Sequence, residues 1–289
     1  MNGTMRTKAP FARFSYLSAR TRDQVVDGLT SESILGGEAG YIVRFPGLKG
    51  RVTGYYTSFK DQIDNISFYH DEERSFVNYV MTGIDTRHMG IEVGIEARLS
   101  STLTLELAGA HGEYIYTSRP SATITLDNNA DVLDEGREVY LKNFYVPGTP
   151  QTAGSVGLNY RSPKFWFVNL NVNFFDRAYL DFNPDRRTEV GTELVVKDEQ
   201  PELWNQILEQ ERLDPQMTVD IFAGKSWRID DYFIAFNLSA SNLLNNTEFI
   251  TGGFEQYRFD YEEKDINRFP PRYFYAFGTN FSANLSLRF

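Results

Sequence analysis

The sequence contains no cysteine, and this absence excludes disulfides, thiolate metal sites and a cysteine nucleophile. It also has no apolar run near the roughly 18 residues expected of a transmembrane helix. Acidic residues outnumber basic ones, with 39 Asp and Glu against 29 Lys and Arg, so the formal net charge is −10. A nucleic-acid partner is therefore not expected, since binding phosphates needs a basic face. A membrane β-barrel stays possible, because alternation hides its hydrophobicity from an average over neighbouring residues.

Linear enzyme motifs are also missing. The chain has no G-x-S-x-G elbow, no Walker loop and no H-E-x-x-H helix, so the common hydrolases, nucleotide-binding enzymes and zinc proteases have no support. Its histidines, His70, His88 and His111, are too scattered to suggest a catalytic or metal centre, and surface or lumen positions are expected. We predict a non-enzymatic chain without a cofactor, and keep an outer-membrane hydrolase that uses His88 or His111 as an alternative.

The most informative pattern is the C-terminal segment from Tyr273 to Phe289. Apolar or aromatic residues occupy every odd position but Thr279, while mostly polar residues fill the even positions near the end. This two-residue period predicts an extended strand with one apolar and one polar face. At about 3.4 Å per residue, a single strand would reach roughly 55 Å, more than a tilted transmembrane strand of about 9 to 11 residues needs.

The same alternation recurs along the chain and predicts about nine strands. Clear examples begin at Tyr41, Met89, Leu103, Trp166, Met217 and Ile234, and a long strand that alternates less cleanly begins at Gly50. Tight turns are expected at 46–49, 99–101, 161–164 and 228–231, and longer polar connections at 70–74, 118–138, 181–215 and 245–271. Short and long connections alternate, as in outer-membrane barrels, where the short turns are periplasmic.

One face of these strands carries polar side chains that suit a water-filled lumen better than a dry core. The lumen-facing candidates are Glu92, Glu96, Arg98, Glu106, Asn169, Asn171 and Asn173. They could line a path for a solute, or they could form a hydrogen-bonded network that fills the lumen or holds an inserted domain.

Two of the long connections contain local signals. Oxygen donors from Asp127 to Glu138 have the spacing of a calcium loop, but Val132 replaces the required glycine, so a solvated acidic loop is favoured. The segment from Pro201 to Leu213 predicts a short helix with proline in its first turn. We expect Trp204, Ile207 and Leu208 to pack this helix on the barrel rim, although contact with a ligand is an alternative.

The N-terminal region is less regular. Residues 1–37 could supply a tenth strand and a long loop through Phe11, Phe14, Tyr16 and Leu17, whereas residues 38–289 form the predicted set of C-terminal barrel strands. The first residues lack the apolar core of a secretory signal. We therefore expect either a cytoplasmic protein or an incomplete gene product, and the strand pattern favours the second.

The order of several segments resembles the C-terminal barrel portion of a TonB-dependent outer-membrane receptor, most similar to those of Bacteroidetes-type bacteria. The aromatic run after Pro271 opens the closing strand, Asn242–Asn246 is similar to the asparagine-rich end of the penultimate strand, and Val146–Gln151 resembles a proline-marked strand entry. The resemblance also suggests an assembly signal at Phe281, Leu285, Leu287 and Phe289, which the barrel-assembly machinery would recognise.

The resemblance implies an all-β, antiparallel transmembrane β-barrel, of which this chain is expected to be an incomplete, C-terminal part, because family barrels have about 22 strands. It implies the bacterial outer membrane, contact with its lipid, and uptake of a scarce solute driven by TonB through a plug domain missing here. A lipoprotein lid is left open as a further partner. The alternative function is a self-contained porin-like or structural barrel of about ten strands.

Overall fold

The computed structural model describes residues 3–7, 17, 20, 24–26, 29–71 and 73–289. The residues Phe11, Phe14 and Tyr16, considered for an N-terminal strand, lie outside this set. The strands are β1 Gly3–Thr7, β2 Glu32–Phe45, β3 Leu48–His70, β4 Ser75–Arg98, β5 Leu103–Tyr116, β6 Ser121–Leu126, β7 Val132–Glu138, β8 Thr152–Arg161, β9 Trp166–Asp176, β10 Gln216–Ile229, β11 Tyr232–Ser241, β12 Ile250–Phe254, β13 Arg272–Tyr275 and β14 Asn280–Arg288.

Ten of these strands form one antiparallel path in the order β1-β2-β3-β4-β5-β8-β9-β10-β11-β14. Within the described residues β1 and β14 do not pair, so the sheet is not closed. The prediction of an antiparallel barrel sheet that is part of a larger barrel is confirmed. Nine strands of the path lie between Glu32 and Arg288. This number agrees with the count of about nine strands predicted from alternation.

The pairing register separates two faces of this sheet. On the outward face, Ile95 lies opposite Leu107, and the row continues through Val156, Val172 and Val219. We call this surface the apolar band; rows above and below it add further aliphatic and aromatic side chains. Because directly opposed residues share a face, the polar residues that alternate with this band fall on the inward side.

The four predicted tight turns lie at one end of the sheet, and the predicted long connections lie at the other. Only residues 46–47 separate β2 from β3, and only residues 230–231 separate β10 from β11. The expected long connection at 70–74 is wrong, because β3 and β4 continue for 23 and 24 residues and leave a link of four residues. This hairpin extends beyond its neighbours and supports the β6–β7 hairpin along its outer half.

The predicted single strand from Tyr273 to Phe289 is also wrong, because the segment divides into β13 and β14. The first part pairs with β12 in a separate two-stranded sheet, and only the second part pairs with β11. The backbone between them is held by the asparagine-rich segment: the Asn242 side chain donates to the Phe277 carbonyl at 3.0 Å, and the Thr279 amide donates to Asn245 at 3.1 Å.

The molecule therefore has two regions. We call residues 60–85, 117–151, 177–215 and 243–279 the cap, and we call the rest of the ten-stranded sheet the wall. The cap contains a 3-10 turn at Asp185–Arg187 and the helices α1 Glu189–Thr192 and α2 Pro201–Leu208. Helix α2 confirms the predicted helix but ends at Leu208, five residues early. Among the described residues, no helix is both long and apolar enough to cross a membrane.

The buried hydrophobic residues concentrate in the cap. The larger cluster joins the outer half of the β3–β4 hairpin to β6 and to the following loop through Val77, Tyr79 and Leu141, all with no exposed surface. The smaller cluster buries Ile207 of α2 against Phe259, with Trp204 and Leu208 packed beside them. The α2 side chains therefore have the predicted packing role, but they pack on the 243–279 connection and not on the barrel rim.

Candidate functional site

The predicted lumen-facing residues lie on one face of the wall. Residues Glu92, Glu96 and Arg98 belong to β4, Glu106 belongs to β5, and the three asparagines belong to β9. The register places Glu96 opposite both Lys49 and Glu106. The structure therefore gathers these side chains on one continuous polar surface, although their role in a solute path stays a prediction.

Hydrogen bonds connect neighbouring strands across this surface. Lys49 Nζ donates to Glu96 at 3.0 Å. Asn173 Nδ2 donates to Asp220 at 2.8 Å, and Ser155 Oγ donates to Asn173 Oδ1 at 3.0 Å. Such contacts satisfy amides and carboxylates without a dry core, as a polar barrel interior requires.

Toward the cap, the same inward face carries an aromatic cluster that sequence reasoning missed. The Tyr55 and Tyr114 hydroxyl oxygens are 2.5 Å apart. His88 stacks on Tyr114 with ring centroids 4.9 Å apart, and Phe59 approaches His88 edge-on with centroids 5.2 Å apart. The signal was present, because Tyr55, His88 and Tyr114 all alternate with outward residues, but their proximity depends on register.

Two glycines make room for these rings. A Cβ on Gly90 would lie 2.6 Å from the Tyr55 hydroxyl, and one on Gly112 would lie 2.9 Å from the Tyr114 ring. Beside the rings is a recess of about 380 Å³. Its lining residues are Glu38, Thr53, Tyr55, Thr57, Phe59, His88, Glu92 and Tyr114. Aromatic faces beside two carboxylates suit a solute that offers hydroxyl or cationic groups.

Above the recess, the cap is held together by buried charges. Asp185, with no exposed side-chain surface, accepts from Arg137 at 2.6 Å and from the Tyr261 hydroxyl, and His70 Nε2 lies 3.5 Å from it. Burial alone would raise the pKa of Asp185, but the His70 hydrogen bond and the Arg137 charge outweigh burial and hold this pKa below its usual range. The carboxylate therefore stays ionised inside the cap.

A second buried pair joins the two long connections. The Arg187 guanidinium donates in bidentate fashion to Glu255, with Nη2 at 2.6 Å from Oε1, and it also donates to the Glu209 carbonyl. The Asn183 amide donates to the same carboxylate at 3.0 Å. Because planar guanidinium and carboxylate groups match each other in geometry, this pair fixes the relative position of residues 177–215 and 243–279.

The acidic segment considered for calcium forms the end of the β6–β7 hairpin. Asn129 contacts Asp131 within the turn, while Asp134 pairs with Arg137 at 2.6 Å and Glu138 pairs with Arg119 at 2.6 Å. The oxygen donors are thus spread along a hairpin. In the part of the chain that the structure describes, no group of three or more metal-binding side chains is close enough to hold an ion.

The C-terminal candidates lie on or just after β14. Phe281, Leu285 and Leu287 point outward with the apolar band, and Phe289 follows the last paired residue, Arg288, fully accessible to solvent or lipid. Their proposed role as an assembly signal concerns a partner and stays a prediction.

Comparison with known proteins identifies the family. Residues 8–243 match the model for the β-barrel of TonB-dependent receptor-like proteins. The chain belongs to this family. Membership confirms the predicted resemblance, the bacterial outer-membrane location and the expectation that the chain is not an enzyme. Members of this family interact with TonB and with outer-membrane components. No curated protein shows significant similarity to the chain.

Solved structures agree on the fold. The pyoverdine outer-membrane receptor FpvA from Pseudomonas aeruginosa PAO1 has 13% identity and a TM-score of 0.55, over 99% of this chain and 33% of that one. The ferric-catecholate import receptor Fiu from Escherichia coli K12 has 10% identity and a TM-score of 0.53, over 99% and 32%. The copper transporter OprC has 12% identity and a TM-score of 0.52, over 90% and 32%. The chain spans about a third of the length of these structures.

Proposed function

We propose that this chain forms the C-terminal part of an energised uptake receptor of the outer membrane. The cap captures a scarce solute, the inward polar face borders its path, and a plug domain moved by TonB opens that path. The observation that carries this proposal is the pairing of a continuous inward polar surface with an outward apolar band in a sheet of the receptor family.

The aromatic recess is the proposed solute contact within the wall. It lies on the inward face, between the lumen-facing candidates and the cap, so a solute leaving the cap would meet it next. Its rings are held by the Tyr55–Tyr114 hydroxyl contact of 2.5 Å and by stacking on His88. Preorganised rings lose little entropy on binding, which favours their contact with a passing solute.

Two partners follow from the same proposal. The outward apolar residues of β14 and the accessible Phe289 would present the assembly signal to the barrel-assembly machinery. The exposed ring pair Tyr69 and Phe76, with centroids 5.6 Å apart at the tip of the β3–β4 hairpin, is where a lipoprotein lid would make first contact.

The experiment separates energised uptake from passive diffusion. Cells that express the receptor are given radiolabelled ferric citrate, ferric pyoverdine and copper, with and without TonB. We expect accumulation of at least one of these only when TonB is present, and a loss of that uptake in Tyr114→Ala. Lys225→Ala, on the outward face, is the matched control.

The porin-like alternative makes the opposite prediction. A self-contained pore would conduct ions steadily in a planar bilayer and would pass solutes without TonB. The unpaired edges β1 and β14 within the described residues argue against closure of these ten strands alone. Steady conductance of the purified chain, together with uptake that does not depend on TonB, would replace our proposal with this alternative.

A further inference from the structure

A groove crosses the outward face of the wall at the upper limit of the apolar band. Its volume is about 780 Å³, and β2, β3, β4 and β5 all contribute to it. The small residues Gly37, Ala39 and Gly54 leave space on the outward face, and Met89 and Ile91 border that space. The groove is therefore apolar where it meets the band.

The other end of the groove is polar. Arg177 Nη1 lies 3.3 Å from His111 Nε2 and donates to the Gly112 carbonyl at 3.2 Å. His111 Nδ1 lies 2.9 Å from Thr152 Oγ1. The guanidinium also lies over the Tyr145 ring, 5.5 Å from its centroid. These contacts orient Arg177, and they leave some of its five N–H donors for a ligand.

Positive charge is in excess at this end. Glu113 pairs with Arg87 at 2.5 Å, and Asp176 pairs with Arg212 at 2.7 Å. Two carboxylates thus face three arginines once Arg177 is included, on a protein whose formal net charge is −10. A further carboxylate that lines the groove, Glu38, is paired in register with Tyr55 and belongs to the inward face.

We propose that this groove binds a phosphorylated, acylated lipid of the outer leaflet, with an acyl chain in the apolar part and a phosphate at Arg177, which His111 orients. The position supports this occupant, because the groove spans the boundary where acyl chains give way to charged headgroups. Arginine suits phosphate through charge-assisted, paired hydrogen bonds. An acyl chain adds affinity in proportion to its buried length, which a free phosphate cannot provide. This site is separate from the solute path, since it lies on the opposite face of the sheet.

Native mass spectrometry of the protein extracted from outer membranes tests the proposal. The probes are bis-phosphorylated lipid A, the same lipid without phosphates, and inorganic phosphate. Losing one charge-assisted contact should weaken binding of the phosphorylated lipid about tenfold in Arg177→Gln. Arg228→Gln, an exposed arginine at the opposite end of the sheet, should bind like the unmodified protein.

A second variant tests the apolar part without touching the charges. A Cβ on Gly54 would meet nothing nearer than the Gly90 carbonyl at 3.9 Å, so Gly54→Val should fill the groove without disturbing the backbone and should also weaken lipid binding. Gly94→Val places the same side chain in open space on the inward face and serves as the control.

The outcomes divide clearly. A tenfold preference for the phosphorylated lipid that disappears in Arg177→Gln, with weaker binding in Gly54→Val, supports the site. Equal binding of the two lipids, unchanged binding in Gly54→Val, or full displacement of the lipid by inorganic phosphate at the same concentration would each overturn it.

Discussion

The wall and the cap bury their residues in opposite ways. In the wall, every residue of β14 is exposed, including the outward-facing Phe281 and Leu285, whose side chains have only lipid to contact. In the cap, Val77, Tyr79 and Leu141 have no exposed surface, and charged groups such as Arg187 are buried as completely. The wall thus depends on the membrane as its solvent, whereas the cap has the protected core of a water-soluble domain.

This difference makes stability a local property. The chain has three tryptophans, and Trp204 lies in the cap whereas Trp166 and Trp227 lie in the wall. A protein with phenylalanine at the two wall positions would report on the cap alone. We expect its fluorescence to show cap unfolding at lower denaturant concentration than loss of the wall.

The largest effect is expected for Arg187→Ala. The change leaves Glu255 buried without its bidentate partner, which should cost the cap about 3 to 5 kcal/mol. Lys49→Ala is the matched control in the wall, because its pair with Glu96 is largely exposed and should contribute about 0 to 1 kcal/mol. Guanidinium unfolding followed through Trp204 measures the loss of cap stability in Arg187→Ala, and the same measurement in Lys49→Ala should show little change. Equal small effects would show that the cap does not depend on buried charge.

The next effect should come from the hydrophobic cluster around α2. Ile207→Ala removes a side chain with no exposed surface and should destabilise the cap by about 2 to 5 kcal/mol. Leu285→Ala, on the outward face of β14, should change cap unfolding very little. Protease protection of residues 189–213 is the measurement. Unchanged protection in Ile207→Ala would show that α2 is not held by its apolar face.

Asp181 predicts a pH dependence of the cap. Burial raises the pKa of Asp181 to about 6, an effect that the hydrogen bond from the Phe182 amide only partly offsets. Because the folded pKa lies above the ordinary unfolded value of about 3.9, this group stabilises the cap at low pH and loses that contribution as the pH rises from about 4 to 6.

The replacement Asp181→Asn should remove this loss, which amounts to at most about 3 kcal/mol. Cap stability of the variant should then fall less between pH 4 and pH 7 than that of the unmodified protein. Asp185 has the opposite effect on the pH dependence of cap stability. Its pKa is depressed, so its ionised carboxylate stabilises the cap above about pH 4. If the cap stability of Asp181→Asn fell more steeply with rising pH than that of the unmodified protein, the role given to Asp181 would be contradicted.

The smallest effect concerns the junction of wall and cap. Asn242 donates to the carbonyls of Asn246 and Phe277, both at 3.0 Å, and its φ of +51° suits asparagine better than alanine. Asn242→Ala should cost about 1 to 3 kcal/mol locally. Hydrogen exchange should increase at 242–247 and 276–280, while Asn280→Ala should leave the first segment protected. Uniform exchange across both regions would show that the junction is not a separate unit.

The wall could be predicted well from sequence because each of its strands carries its own signal. Alternation along β9 and β10 fixes which face each residue takes, and the tight turns fix which strands are neighbours. The register then follows, and with it the common face of Asn171 and Glu106. Predicting the aromatic recess requires the register of three strands as well. Tyr55 of β3 and Tyr114 of β5 are on separate strands, and they meet across β4, which lies between them.

The cap could not be predicted in the same way. Its contacts join residues from separate connections, and a buried Asp185 or Arg187 looks like any other charge in a polar loop. Alternation also misled at Tyr273–Phe289, because β12 and the asparagines of the Asn242 segment compete for its first half. Local periodicity indicates how a segment can fold, but its partner decides where the strand ends.

The separation of cap contacts along the chain has a consequence for the order of assembly. Arg258 donates to Asp71 across 187 residues, and Arg187 reaches Glu255 across 68. Bringing such distant segments together costs loop-closure entropy until the intervening hairpins have formed. The cap should therefore close last, after β3 to β11 have paired, so that protection of Asp71 and Glu255 during biogenesis would mark a finished sheet.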